Sequence, residues 1–207
     1  MINIERRQEV PLLLAGKKSW RSTDVLDTLF ADFKGKCYLT GRDFDDLTDI
    51  KVDHFVTRSE DDALHYEWIN LYPIHEKANK NRPKSTPSGD YLDPCNPGED
   101  VEKDIIYLVE IGGGTLFKPL DERNLRAVNT AQLLTHVHQD LQEAIQKKHH
   151  EVVHAVAGWL NALLKGRTKE ALEKELLLKM LLSRDSQFTM LMRSIEEVSD
   201  LPDDFFD

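Results

Sequence analysis

Between Val52 and Arg82 the chain reads VDHFVTRSEDDALHYEWINLYPIHEKANKNR, and chemically capable side chains recur in it at set intervals. Asp53 and His54 are adjacent, Asn70 comes sixteen residues after His54, and Asn79 nine residues after that. Ile50 to Phe55 predicts a short strand with His54 at its end, and Ile74 to Arg82 predicts a short helix that Pro83 stops. The stretch is thereby restricted to a small mixed unit. Histidine is the side chain whose ordinary pKa suits it to take a proton from water near neutral pH.

Lys-Val-Asp-His-Phe, Trp-Ile-Asn-Leu and Asn-Lys-Asn-Arg follow one another in this order between Lys51 and Arg82, and the combination resembles the HNH endonuclease motif. The resemblance implies an α+β chain: a small ββα-metal nuclease core embedded in a mostly helical protein. In that core His54 is the general base, Asp53 and Asn79 bind the catalytic metal, and Asn70 stays off the metal and holds the loop that orients His54. Oxygen donors suit a hard cation, Mg²⁺ or Mn²⁺, better than zinc, and the cation offsets charge on the phosphate and on the departing oxygen. Many HNH proteins also hold a structural zinc between two Cys-x-x-Cys pairs. Here the matching positions are Cys37, Thr40, His75 and Ala78, so a closed tetrahedral zinc site is not expected.

The likeness extends to an Ile-x-Arg start, a Pro-Leu run, Lys36-Cys37-Tyr38, an Asp93-Pro94 connector, a hairpin and a helix around Asn129-Thr130. Together these resemble the PtuB-like HNH proteins of Septu and related retron antiphage systems, over residues 1–150. The resemblance implies a DNA-cutting effector that works with a PtuA-like ATPase subunit in a hetero-oligomer. A non-catalytic adaptor that keeps the fold and an RNA-cleaving toxin are the competing readings.

The net charge of −10 on 207 residues opposes long-range attraction to a polyanion, so its distribution matters. Lys77, Lys80, Arg82 and Lys84 make a local +4 with no acid among them and are the expected phosphate contacts. Six acids face one Lys between Asp90 and Asp104, and seven face one Arg from Asp185 onward. Two cysteines 58 residues apart fit a reducing, cytoplasmic setting better than a disulfide scaffold. The N-terminal apolar run is too short for a secretory or membrane segment.

Around the motif, residues 1–20 read as an extended arm, in which Arg6 and Arg7 are possible phosphate contacts. Ser22 or Thr23 caps a helix striped by Val25, Leu26, Leu29, Phe30 and Phe33. Six Pro and Gly residues punctuate 83–98 as an irregular connector. Ile105–Ile111, Gly112–Gly114 and Thr115–Lys118 predict a hairpin. From Glu122 to Val198 the periodicity is helical, with three apolar stripes expected to form core: Leu133 to Ile145, Val152 to Leu164, and Leu172 to Leu181. A fourth helix is expected over Phe188–Val198, with Ser186 as its cap. The segments divide as 1–83, 84–120 and 121–207. His150-Glu151-Val152-Val153-His154 contains the His-Glu-x-x-His zinc-protease pattern, but its valines read as a packed face and no third ligand is evident. The end, Leu201 to Asp207, joins two Phe to acids as a candidate docking tail.

Overall fold

Ser22 precedes a helix whose apolar residues recur every four positions. A computed structural model, describing every residue except Lys17, Lys18, Arg58, Ile111, Gly113 and Asp207, places α2 at Thr23–Asp32, after a single turn α1 at Leu12–Ala15. Val25, Leu29 and Phe33 are buried; Leu26 and Phe30 are half-buried. The helix ends because Lys34 and Gly35 both take left-handed backbone, and Gly35 N–H closes on the Phe30 carbonyl at 2.7 Å. A Cβ at Gly35 would sit 3.0 Å from the Phe30 ring. The reversed chain makes a tight turn, Cys37 N–H to Arg42 O and Gly41 N–H to Cys37 O, and enters β1, Ile50–His54.

β1 pairs antiparallel with β2, Leu71–His75, in the register Ile50 opposite His75 and His54 opposite Leu71. α3, Glu76–Asn81, follows β2 without a linker and packs on both strands. Ile74 and His75 therefore belong to a strand, and Arg82 is the residue that ends the helix. The 55–70 segment carries 3-10 turns at Asp62–Tyr66 and Trp68–Asn70.

The N-terminal arm is stitched to this unit. Met1 and Ile4 are buried, Ile4 N–H bonds to the Pro94 carbonyl at 2.7 Å, and Trp68 donates Nε1–H to the Arg7 carbonyl at 3.2 Å. Arg6 lies over the Trp68 ring at 4.2 Å, whereas Arg7 is exposed and pairs with Asp32 at 2.5 Å. The connector docks on α5, Leu125–Val137, through Leu92 N–H to Thr130 and Asn129 to the carbonyls of Ser88 and Asp90. A further turn, α4 at Val101–Asp104, is capped by Asp100. β3, Ile105–Val109, and β4, Thr115–Pro119, make the expected hairpin, of which Ile111 and Gly113 lie outside the described residues.

The chain is α+β with two small antiparallel hairpins, and it divides into two compact units. The first comprises 1–106 with 118–137; the second comprises 107–117 with 138–207, boundaries that do not coincide with 83/84 and 120/121. In the second unit α6, Gln142–Leu164, turns at Gly166 (φ 65°) into α7, Thr168–Leu182; both pack with the short α8, Thr189–Arg193, and α9, Glu196–Ser199, packs on α6 and α8.

Four expectations need correction here. The Leu133–Ile145 stripe is not one face, because the helix stops at Val137 and resumes at Gln142, although all five residues are buried. Phe188–Val198 is two short helices broken at Ser194–Ile195, where Ile195 takes extended backbone. Leu160, Leu163, Leu164, Leu172, Leu176, Leu177 and Met180 are exposed and form no core. The tail is docked within the chain: Leu201 and Phe205 are buried, Phe205 meets Trp159 at 5.1 Å, and Asp204 pairs with Lys179 at 2.7 Å. Asp207 lies outside the described residues.

Candidate functional site

Alternation along β1 sends Asp53 and His54 to opposite faces of the hairpin. Asp53, opposite Tyr72, is buried on the face that carries Tyr38 and Arg82. Its Oδ2 accepts from the Tyr38 hydroxyl at 2.6 Å and from Arg82 Nη1 at 2.5 Å; Oδ1 has no hydrogen bond among the described residues. Arg82 also donates to the carbonyls of His54 (2.9 Å) and Phe55 (2.7 Å), so it ties the end of α3 to the end of β1. Burial works against its charge, but the Tyr38 and Asp53 oxygens outweigh this and keep the guanidinium protonated. Burial, aided by the Asp53 charge, pushes the Tyr38 hydroxyl well above its ordinary pKa, so it stays a donor. Arg82 is therefore not a phosphate contact. Its place in a basic run misled, because its counterion lies 29 residues back along the chain.

His54 is half-buried. Its Nε2 donates to the His65 carbonyl at 3.0 Å, the tautomer in which Nδ1 keeps the acceptor lone pair. The His65 ring stacks on it at 4.6 Å and 7°, and Trp20 stands edge-on to both, at 5.1 Å and 5.7 Å. Burial first of all holds the His54 pKa below its ordinary value; the His65 carbonyl opposes this and the His65 ring adds to it. His54 is accordingly neutral at pH 7. Trp20 and His65 escaped the sequence reading as site residues, and Tyr38 entered it only within Lys36-Cys37-Tyr38. Their only signal is that aromatic and imidazole side chains crowd the segments flanking the Asp-His pair.

Asn70 is buried beneath the loop. It accepts from Val56 N–H at 2.7 Å and donates to the carbonyls of Val56 (3.0 Å) and Leu64 (3.1 Å), so one amide holds both limbs of the segment that supplies the His65 carbonyl. Asn79 is exposed on α3. Lys77, Lys80 and Lys84 are exposed, and Lys80 is paired with Glu76 at 2.5 Å, an acid one residue outside the basic run.

Of the two expected metal ligands, Asp53 is buried with Oδ2 held by Tyr38 and Arg82, and Asn79 is exposed on α3. No three His, Cys, Asp or Glu side chains converge among the described residues. Of the knuckle positions, Cys37, Thr40 and Ala78 are buried in packing, and His75 bonds through Nε2 to the Asp43 carbonyl at 3.0 Å while resting on Phe44 at 4.4 Å. On α6, His150, Glu151 and His154 are exposed, Val152 between them is buried, and Glu151 pairs with Lys148.

Comparison with known proteins finds no matching family model, no similar curated protein and no similar solved structure. No described helix is long and apolar enough to cross a membrane.

Proposed function

We propose that the chain is a metal-dependent HNH-type endonuclease that hydrolyses phosphodiester bonds of DNA, as the nuclease subunit of an antiphage complex with an ATPase. The observation that carries the reading is the β1–loop–β2–α3 unit in which Asn70 clamps the loop whose carbonyl fixes His54. In this reading His54 Nδ1 accepts the proton of the attacking water, and its lowered pKa keeps that lone pair available at neutral pH. The His65 carbonyl and the flanking rings hold the imidazole in one orientation, so little reorganisation accompanies proton transfer. The resemblance would give the cation, and the charge neutralisation it supplies at the phosphate, to Asp53 and Asn79; Asp53, however, lies on the face of β1 opposite His54 with Oδ2 held by Tyr38 and Arg82, which speaks for the second reading below. Lys77 and Lys84 stand on the same short stretch to meet backbone phosphates.

A non-catalytic interaction subunit is the second reading, favoured by one observation: Arg82 neutralises the Asp53 carboxylate inside a buried pair. Incubation with supercoiled plasmid, single-stranded DNA and tRNA, with and without Mg²⁺ or Mn²⁺, separates the two. Metal-dependent nicking by the wild type that His54→Ala abolishes, with an unchanged circular dichroism spectrum, is the expected result. Equal nicking by both proteins removes His54 from the chemistry. No cleavage of any substrate at low salt favours the interaction subunit, and cleavage of tRNA alone favours an RNA-directed enzyme.

A further inference from the structure

α7 is apolar on two opposite sides. Ala171, Leu178, Leu181 and Leu182 are buried within its unit, while Leu172, Leu176, Leu177 and Met180 stand 41% to 64% exposed. Beside the turn, Leu160 and Leu164 of α6 are 46% and 88% exposed. A helix that is hydrophobic all round is characteristically a buried one, yet the chain covers only one side of this helix. At roughly 100 Å² apiece, these six side chains present on the order of 600 Å² of apolar surface, the upper end of what a monomer leaves in water. With a charged rim the patch approaches the roughly 800 Å² per partner that a stable interface takes.

We propose that this face is a homodimer interface, in which α7 of two copies packs antiparallel about a two-fold axis at Leu176. A two-fold axis requires a patch that complements itself, and α7 has that property. Leu172, Leu176 and Met180 lie four residues apart and make one ridge. Turned about Leu176, the ridge sets Leu172 against the second copy's Met180 and Leu176 against its own equivalent. Glu173 and Lys179 lie three residues either side of Leu176 and flank the ridge on opposite sides, so the ridge itself carries no charge. The net charge of −10 is not concentrated here, since Lys165 to Lys179 holds five cations against three carboxylates. Two acidic chains can therefore meet on this face.

Sedimentation velocity on the full chain tests the proposal independently of any nuclease activity. The wild type at tens of micromolar is expected at twice 23.8 kDa, and Leu176→Glu, at an exposed position the fold tolerates, is expected at the single-chain mass with an unchanged circular dichroism spectrum. Leu176→Cys, on the axis, is expected to form a disulfide-linked dimer under mild oxidation, whereas the wild type, with Cys37 buried and Cys95 half-buried, does not. A monomeric wild type overturns the proposal and assigns the face to a different protein. A dimer that survives Leu176→Glu, or a Leu176→Cys chain that does not cross-link, overturns it equally.

Discussion

Replacing Arg82 by Met tests whether its cation belongs to the core or to the nucleic-acid surface. The Arg82 and Asp53 side chains are 4% and 9% exposed and 2.5 Å apart, so the substitution strands a carboxylate in the interior. Breaking one half of such a pair costs about 3–5 kcal/mol. Arg82 also donates to the carbonyls of His54 and Phe55, bonds from a charged donor that are each worth about 1.5–3 kcal/mol in isolation but overlap with the first loss. The expected loss is therefore about 4–5 kcal/mol, the upper part of the buried-pair range. Urea unfolding followed by the fluorescence of Trp20 and Trp68, in a Trp159→Phe background, reads the unit that contains the pair. Asp53→Asn alone is expected to lose less, because an amide oxygen can still accept from Tyr38 and Arg82 keeps the carbonyls of His54 and Phe55. The double variant is expected to recover about 1–3 kcal/mol of the summed losses as coupling. A loss below about 0.5 kcal/mol, the range of exposed positions, together with weaker DNA binding, would place Arg82 on the surface and refute the argument.

Ending the chain after Asp200 removes the buried Leu201 and Phe205, and about 3–5 kcal/mol of stability in the second unit is expected to go with them, read as an earlier melting of the Trp159 signal; unchanged melting would mean the tail is not docked. Burial raises the Glu60 pKa, but hydrogen bonds from Thr86 and Thr57 outweigh it and hold the carboxylate at about 2 against an ordinary 4.5. Because the folded value is depressed, this tether between the loop and the connector is complete above pH 4.5 and is lost as pH falls towards about 2. The amide shifts of Thr57 and Thr86 should titrate with a midpoint near the lower value, and a midpoint at 4.5 would show that the hydrogen bonds do not form.

Periodicity and turn chemistry made the local elements legible, since both depend on neighbours in the chain. Val25, Leu29 and Phe33 read as a buried helical stripe, Ile50 to Phe55 as a strand and Ile105 to Lys118 as a hairpin, and the structure has each of them, the strand ending at His54. Burial was not legible where it depends on distant partners. Arg82 reads as one more cation among lysines until Asp53 and Tyr38 arrive from other elements. α7 offers apolar residues on every side, so its sequence does not say which leucines face inward, and Leu172 and Leu176 turn outward while Leu178 and Leu182 turn in. The tail reads as a docking segment for another protein because its two Phe sit among acids, yet Lys179 and Trp159 of the same chain give both properties a partner. At the site, His54 and Asn70 were visible as residues, but the His65 carbonyl that orients the imidazole is a backbone group and leaves no mark on side-chain identity.

The same long-range pairing changes the electrostatics of the proposed nuclease. The run from Lys77 to Lys84 counts +4 as sequence, but Asp53 neutralises Arg82 internally and Glu76 sits 2.5 Å from Lys80, so at least two of the four cations are already partnered within the chain. Each phosphate contact contributes separately to salt-sensitive affinity, and fields beyond about 8 Å are screened at physiological salt. A chain at −10 with so small a basic patch gains little from electrostatic capture of DNA. In the nuclease reading, the affinity that brings a phosphodiester to His54 must then come from surface the chain does not itself supply, which is a physical reason for that reading to include a partner subunit.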